Sequence, residues 1–540
     1  MKPKHLHGAL IAFCLMTQLF CVGLSAQVPT HARHVGVPQD WSSHNIIFSR
    51  DALAQHPEIA DREPRIRHQL RLRASVARTS AAPQASLAIG ELSTQPRDWN
   101  VSLGRGRVSS SMFPAKFSFD ADASPDCTND YVVFGLSVAG VTGGQANLVA
   151  FNNLYSGAGG LCGAAPTVLF AYNVSSVVGG LVRTSPVLSE DGTKIAFVES
   201  LGSSAIFHVL TWTAGQGAVL NAAAPTMTSL TFSTTDTSTT TSPWYDFVSD
   251  TAYVCDDGGL VYQITGVFNG TPTLSGAPWP VSVGVRPLSP PVLDSGLGLL
   301  MVGSRNGNLY QIDITTGAVS TLVVGVHGGT TPGIAGGPIV DVTNGTTFVV
   351  SANDGTSGVI VEVDTATLLQ LSKARIGIAA QSGTNMFIYQ PAFSNSYYND
   401  PSNGNVHLCG TDSATTDPWE YSFGFVGRTM KTTPAGKQQL ATSTAARCTG
   451  WTEFFNPNIG GGTDFYFFGL TTDCFGVGTS GCVMERVGPT LTSVAISGGP
   501  SGIVVDNDST AGQASSIYLT SERAVAGNFT AYKFTQNGLQ

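Results

Sequence analysis

The chain has 540 residues, of which only 12% are charged and 62 are glycine, and its formal net charge is −9. The low charge and the abundance of Gly, Ser, Thr and Val favour an all-β chain with many turns over a helical one. An acidic chain of this kind argues against nucleic acid as a partner.

The first 26 residues are predicted to be a secretory signal peptide. Lys2 and Lys4 precede an apolar run over residues 10–24, and two small residues, Ser25 and Ala26, follow that run. This order is typical of an export signal, and the run is too short for a membrane span. We therefore expect a secreted or periplasmic protein with no transmembrane segment in the mature chain.

Residues 27–97 form an irregular segment, and residues 79–97 within it have the composition of a linker. An Arg-rich stretch, residues 65–73, follows Pro64, which suits the first position of a helix. One interpretation of this stretch is contact with anionic envelope polymer or lipid headgroups. The favoured interpretation is a solvated helix or tail on the rim of the body, so the segment is expected to be peripheral.

Residues 98–540 form a repetitive body. In each copy a Pro or a Gly-Pro opens a short apolar strand, and two further strands and a Gly, Asn or Thr-Gly turn follow. Strands grouped in this way, at a spacing of roughly 40–50 residues stretched by long loops, are typical of β-propeller blades. Eight copies begin at or near Pro114, Pro186, Pro243, Pro290, Pro338, Pro391, Phe454 and Pro500.

The last copy lacks a fourth strand, because the chain ends soon after its third strand at residues 531–534. The unmatched strand Trp99–Leu103, which precedes the first copy, is predicted to supply it. This pairing would close the ring and cover two strand edges. We predict a propeller of four-stranded blades, with eight blades favoured and seven as the alternative.

Short stretches of the body resemble known propeller families. Asn306–Asp313 with Thr315–Gly317 resembles the repeat of quinoprotein-like propellers, and Ser185–Ala196 resembles TolB-like blades. The wider pattern resembles a group of uncharacterised secreted bacterial β-propeller proteins, on three stretches: Asp40–Ser43, Thr452–Asn458 and Ser501–Asn507. The resemblance implies a β-propeller fold, but it implies no particular activity. A bound quinone is not expected, since no two cysteines are adjacent and the tryptophans do not repeat in register.

Seven cysteines remain once the predicted signal is removed, and in an oxidising compartment most of them should form disulfides. Three pairs are favoured because both members lie within one repeat or one hairpin: Cys127 with Cys162, Cys409 with Cys448, and Cys474 with Cys482. Cys255 is then left over. Its apolar neighbours predict a buried thiol and not a nucleophile.

One acidic turn is a candidate calcium site, with oxygen ligands at alternate positions: Asp120, Asp122, Ser124 and Asp126. It lacks the Gly and the bidentate Glu of a complete calcium loop, so an ordinary acidic turn is the favoured interpretation. No other cofactor is predicted. Hydrolase motifs are missing from the sequence, and His208, on a predicted strand, is interpreted as structural.

The leading functional hypothesis is a non-enzymatic binding or scaffold protein of the bacterial envelope or exterior, with a protein or glycan partner. Propellers present loops on a rigid ring, and loops carry recognition. The alternative is a polysaccharide-acting hydrolase or lyase, for which two or three carboxylates from different blades should meet at one mouth of the channel. A surface adhesin is a third hypothesis, suited by the low charge.

Overall fold

A computed structural model describes the chain in segments that cover most of residues 98–536 and part of the preceding region. The predicted signal peptide and the linker at 79–97 lie outside the described residues. The described residues are 36–48, 63–66, 69, 98–110, 112–120, 125–234, 240–284, 287–326, 333–377, 387–411, 417–442, 446–456, 459, 462–506 and 516–536.

Within these segments, eight antiparallel blades, most of them four-stranded, form the ring of a β-propeller, which confirms the predicted fold and the eight predicted starts. From the first to the fourth strand, blade 1 contains Ala115–Ser118, Tyr131–Gly135, Leu148–Asn152 and Thr167–Tyr172. Blade 2 contains a first strand in two pieces, Leu181–Val182 and Val187–Leu188, then Lys194–Leu201, Ser204–Thr211 and Thr226–Ser233. Blade 3 contains Trp244–Asp246, Thr251–Cys255, Leu260–Thr265 and two outer pieces, Thr273–Leu274 and Val281–Ser282. Blade 4 contains Val292–Asp294, Leu299–Gly303, Asn308–Asp313 and Val319–Val323.

The remaining blades follow the same plan. Blade 5 contains Ile339–Asp341, Thr346–Ser351, Val359–Asp364 and Gln370–Arg375. Blade 6 contains Ala392–Phe393, Asn405–Thr411, Pro418–Val426 and two outer pieces, Thr429–Met430 and Gly436–Gln439; a short helix, Asn395–Asn399, and a 3-10 turn, Pro401–Asn403, connect its first two strands. Blade 7 contains Thr452–Asn456, Thr463–Leu470, Gly481–Val487 and Thr490–Ile496. Blade 8 contains Val504–Asp506, Ser516–Thr520, Thr530–Thr535 and, outermost, Trp99–Ser102.

The ring closes as predicted, because Trp99–Ser102 pairs antiparallel with the strand Thr530–Thr535. In six of the eight pairs of neighbouring blades the first strands contact each other around the centre, and these pairs include blade 8 with blade 1. A buried ion pair also crosses this seam: Lys116 Nζ of blade 1 lies 2.8 Å from Asp506 Oδ1 of blade 8.

A hydroxyl side chain just before the first strand recurs in four blades and makes the same hydrogen bond in each. In each case the hydroxyl oxygen accepts a hydrogen bond from a backbone N–H of the second strand, which fixes the bend that leads into the blade. These bonds run from Val198 to Thr184, from Gly303 to Ser289, from Gly469 to Thr449 and from Thr520 to Ser501, over 2.8–3.1 Å.

The hydrophobic core lies between the blades, where the apolar faces of adjacent sheets meet. Between blades 1 and 2, for example, Phe117, Val133 and Phe197 are fully buried in one cluster. A four-stranded sheet with two apolar faces is stable only when neighbours cover both faces, and the closed ring provides this cover.

Three disulfides are present in the described part of the chain, and they join the pairs that the sequence favoured: Cys127–Cys162, Cys409–Cys448 and Cys474–Cys482. Cys255 lies outside these disulfides, fully buried in the second strand of blade 3, where burial raises the pKa of its thiol well above the ordinary value. No helix of the described residues is long and apolar enough to span a membrane.

Candidate functional site

The N-terminal segment, residues 36–48, crosses the central channel of the propeller. Val37–Gln39 pairs antiparallel with the first strand of blade 1, and Ile46–Ile47 pairs parallel with the first strand of blade 5. In a ring of eight blades, blades 1 and 5 are opposite each other. The expected peripheral position is therefore wrong for residues 36–48, which connect opposite sides of the ring.

A 3-10 turn, Trp41–His44, reverses the chain between these two strands. Asp40 caps the turn, since its Oδ1 accepts the Ser42 N–H at 3.0 Å. Its other oxygen, Oδ2, accepts the backbone N–H of Leu188 in blade 2 at 3.3 Å. One carboxylate thus holds the turn and attaches it to the channel wall.

Two further side chains fix the segment to blades 3 and 5. Trp41 is buried against Trp244 of blade 3 with ring centroids 6.1 Å apart, and its indole N–H donates to the Pro243 carbonyl at 3.2 Å. The Asn45 amide donates to the carbonyls of Gly337 and Pro338 beside blade 5, at 3.2 and 3.0 Å.

Arg65 is buried against the first strand of blade 3, which differs from the solvated position expected for the stretch that it begins. Its guanidinium stacks 4.1 Å from the ring centroid of Trp244 and donates to the Tyr245 carbonyl. Its Nε lies 3.3 Å from Glu63 Oε1, and both side chains are buried. Burial raises the pKa of Glu63 to about 7, although the neighbouring guanidinium opposes this shift. In the rest of the Arg-rich stretch, Ile66 and Gln69 are described, whereas residues 67, 68 and 70–73 lie outside the described residues.

The N-terminal segment leaves a cavity of about 80 Å³ on the side of blades 6, 7 and 8. One wall is the segment itself with Gln69. The other is formed by the first strands of these three blades, by Pro391 and Trp451 just before them, and by Tyr398 of the short helix in blade 6. The lining consists of Gln39, Ser43, His44, Ile47, Gln69, Pro391, Ala392, Phe393, Tyr398, Trp451, Glu453, Phe454, Phe455 and Val505. Four of these residues, His44, Gln69, Glu453 and Phe455, are only half-buried and mark where the cavity reaches solvent.

Hydrogen bonds within the protein already use several donors of this lining. The Ser43 hydroxyl donates to the Asp40 carbonyl at 2.7 Å, and the Gln69 amide nitrogen donates to the Ser43 carbonyl at 3.1 Å. The Trp451 indole N–H donates to Cys409 Sγ, at 3.2 Å, in the disulfide behind it. Gln69 Oε1 is buried and accepts no hydrogen bond from the described residues.

Behind the cavity, a polar cluster connects blades 6 and 7. His407 packs against Tyr466 with ring centroids 4.4 Å apart, and its Nδ1 lies 3.0 Å from Glu420 Oε1. Arg486 Nη1 reaches the other oxygen of Glu420 at 3.1 Å. Burial raises the pKa of Tyr466 well above its ordinary value. The cluster holds Trp451 and Tyr466 rigidly at the back of the cavity.

His208 lies in a separate buried network in blade 2. Its Nε2 lies 2.8 Å from Glu199 Oε2, and its Nδ1 lies 2.8 Å from Ser229 Oγ. Burial raises the pKa of Glu199, but hydrogen bonds from His208 and Ser176 outweigh burial and hold it below the ordinary value. Because Ser176 belongs to the connection from blade 1, the network joins two blades, in keeping with a structural histidine.

The predicted calcium residues are only partly described. Asp122 and Ser124 lie outside the described residues. Asp126 accepts hydrogen bonds from the backbone N–H groups of Thr128 and Asn129 and from the Asn129 amide, as in an ordinary acidic turn. Over the described segments, no three His, Cys, Asp or Glu side chains are grouped so as to hold a metal ion.

Three stretches that carried the family resemblance converge on the cavity. Ser43 comes from the first, Glu453, Phe454 and Phe455 from the second, and Val505 from the third. The first stretch is about 400 residues from the other two, and no local sequence pattern connects the three.

The fold and the cavity define a β-propeller whose channel is crossed by its own N-terminal segment. No family model and no curated protein matches the chain. Among solved structures, BamB from Moraxella catarrhalis is 14% identical with a TM-score of 0.44, covering 74% of this chain and 96% of that one. The Dos1 propeller is 12% identical with a TM-score of 0.49, covering 80% and 94%. A 6-phosphogluconolactonase-like protein from Bacteroides fragilis is 12% identical with a TM-score of 0.40, covering 69% and 98%. Likeness at these identities concerns the fold, and no ligand or activity is carried over.

Proposed function

We propose that this protein is a binding protein that acts outside the cytoplasm and recognises a protein or glycan partner through the cavity beside its N-terminal segment. The observation that carries the proposal is the make-up of that cavity. Five aromatic side chains and a few polar groups line it, on walls that belong to first strands of the ring and to a segment fixed at both ends. Small-molecule and anchor-group sites have this make-up: a concave, mostly apolar and pre-formed pocket with a few polar groups.

The location outside the cytoplasm is supported by two features. The first is the predicted export signal at residues 1–26. The second is the set of three disulfides in the described chain, since such bonds form and persist in oxidising compartments.

Binding is favoured over polysaccharide hydrolysis by the carboxylates that the cavity offers. Glycoside hydrolysis pairs two carboxyl groups about the scissile bond. Among the described residues of the lining, Glu453 is the single carboxylate. A single half-buried carboxylate beside aromatic rings suits recognition of a polar group.

The experiment is a binding screen of the purified protein against envelope glycans and exported peptides, by isothermal titration calorimetry. Ala392→Leu fills the cavity, because Ala392 is in the lining and 6% exposed. Ala214→Leu makes the same change at an exposed turn position and is the control. We expect at least one ligand that Ala392→Leu loses and Ala214→Leu retains. If no ligand binds, or if bound ligands are unaffected by Ala392→Leu, the proposal is wrong.

A further inference from the structure

The network around His208 in blade 2 reaches the surface of the protein at one side chain. His208 is fully buried, and so is the Glu199 side chain that lies 2.8 Å from its Nε2. Ser229, whose Oγ lies 2.8 Å from His208 Nδ1, is exposed, because it belongs to the outermost strand of the blade. A histidine that only joined two blades would need no contact with solvent, so the exposed hydroxyl indicates a second role.

The hydrogen positions in this network follow from its partners. Burial raises the pKa of the Glu199 carboxyl, but hydrogen bonds from His208 and Ser176 outweigh burial, so this group is a carboxylate at neutral pH. A carboxylate only accepts hydrogen bonds, and Nε2 of His208 therefore carries a hydrogen. In the neutral imidazole Nδ1 is then an acceptor, and it receives the hydroxyl hydrogen of Ser229.

A hydroxyl, an imidazole and a carboxylate joined in this order are the parts of an activated serine nucleophile. His208 and Ser229 are opposite each other in the third and fourth strands of the blade, so their side chains share one face of the sheet. Phe197 of the second strand packs on the imidazole with ring centroids 5.3 Å apart. Because all three groups of the network lie on paired strands, their alignment does not depend on a loop.

The surroundings of Ser229 suit an ester with a small apolar acyl group. Met227, two residues earlier on the same face of the strand, is half-buried against the core between blades 1 and 2 and offers an apolar contact. Among the described residues, no strand lies beyond the outermost strand of blade 2, so alternate backbone N–H groups of this strand point outward. Such N–H groups can donate to the carbonyl oxygen of an ester as negative charge develops on it.

We propose that Ser229 is the nucleophile of a second site, which cleaves small acyl esters, with His208 as the general base and Glu199 as the residue that positions the imidazole. The Ser229 oxygen forms a bond to the carbonyl carbon, and its proton passes to His208 Nδ1. The bond between the carbonyl carbon and the ester oxygen breaks, and the alkoxide leaves with that proton as an alcohol. Water then releases the acyl group from Ser229 as a carboxylic acid, and the hydroxyl is restored.

The first test is covalent labelling of the whole protein with phenylmethanesulfonyl fluoride. This reagent forms a sulfonate ester with an activated serine, and fluoride leaves while the proton passes to the base. We expect one adduct by intact mass, which peptide mapping assigns to Ser229, and we expect release of p-nitrophenol from p-nitrophenyl acetate. Ser229→Ala changes only an exposed side chain and should lose both signals. Ser203→Ala makes the same change in the exposed turn between the second and third strands of blade 2 and should keep both.

The second test concerns the two buried groups, in variants that thermal unfolding shows to be folded. His208→Gln should slow the labelling of Ser229 at least about a hundredfold, because it removes the general base. Glu199→Gln should slow it at least about tenfold, and Glu199→Asp, which restores a carboxylate, should recover part of the rate. Absence of an adduct, an adduct at another residue, ester cleavage that persists in Ser229→Ala, or unchanged labelling in folded His208→Gln overturns the proposal. The cavity beside the N-terminal segment takes no part in these tests, so their failure leaves the proposed binding function standing.

Discussion

Replacing Trp99 by Ala tests the closure of the ring at one side chain. Trp99 lies in the outermost strand of blade 8, is 7% exposed, and packs against Tyr518 of the same blade. It also contacts Phe151 of blade 1, and its indole N–H donates to the Leu154 carbonyl at 3.0 Å. Truncating a buried Trp to Ala costs about 3–5 kcal/mol, and the lost hydrogen bond adds about 1 kcal/mol.

The free energy of unfolding, measured by urea denaturation, is therefore expected to fall by about 4–6 kcal/mol in Trp99→Ala. Trp99→Phe keeps much of the packing and should lose about 1–2 kcal/mol. Hydrogen exchange localises the effect: the amides of Thr530–Thr535, which pair with the closing strand, should exchange faster in Trp99→Ala. Trp279→Ala, at a buried Trp of blade 3, is the control and should leave these amides protected. A loss below about 1 kcal/mol, or equal exchange at Thr530–Thr535 in both variants, would refute the closure.

Three further results are expected. Trp41→Ala removes the contact with Trp244 and the hydrogen bond to the Pro243 carbonyl. Limited proteolysis should therefore cleave within residues 36–48 faster than in the native protein. An unchanged cleavage rate would contradict the position of the segment. Lys116→Met leaves Asp506 buried without its counter-ion and should cost about 3–5 kcal/mol by urea denaturation, whereas Lys116→Met with Asp506→Leu should cost much less; equal losses would argue against a buried ion pair. Burial raises the pKa of the Glu485 carboxyl from 4.5 to about 7. Its contribution to the free energy of unfolding is therefore greatest below pH 4.5. About 3 kcal/mol of that contribution is lost as the pH rises through 7. Glu485→Gln should flatten the fall in the free energy of unfolding between pH 5 and 8, and an unchanged slope would show that this carboxyl does not titrate there.

The fold could be predicted from the sequence because each blade repeats the same local pattern of residues. A Pro followed by consecutive apolar residues marks the start of a blade at Pro186, Pro290 and Pro338. The closing strand Trp99–Ser102 was found by counting, since the last copy lacked one strand. The disulfides followed from spacing, because both members of each pair lie close in the repeat.

The N-terminal segment could not be placed in the same way. Its two strands have three and two residues, which is too short for alternation to be visible. Its hydrogen bonds reach far along the chain, as from Asn45 to Pro338, and no local pattern reports such a contact. The sequence predicts a solvated helix or tail for the stretch that begins at Arg65, and the contacts that bury this residue, with Trp244 and Glu63, are visible only in the fold.

The cavity was missed for a related reason. Its lining joins residues of the N-terminal segment to blades 6–8, and its position follows from which side of the channel the segment leaves open. Glu453 and Gln69 could not be identified as lining residues from the sequence, because they come together only when the N-terminal segment is in place.

Hydrogen exchange of residues 36–48 tests the central claim most directly, since the cavity exists only if this segment crosses the channel. The carbonyls of Asn45 and Ile47 accept the amides of Val340 and Val342 in blade 5, and Val37–Gln39 pairs with blade 1. We expect peptides that cover residues 36–48 to exchange as slowly as the first strands of blades 1 and 5. Exchange of these peptides within seconds, at the rate of an unstructured chain, would contradict the account.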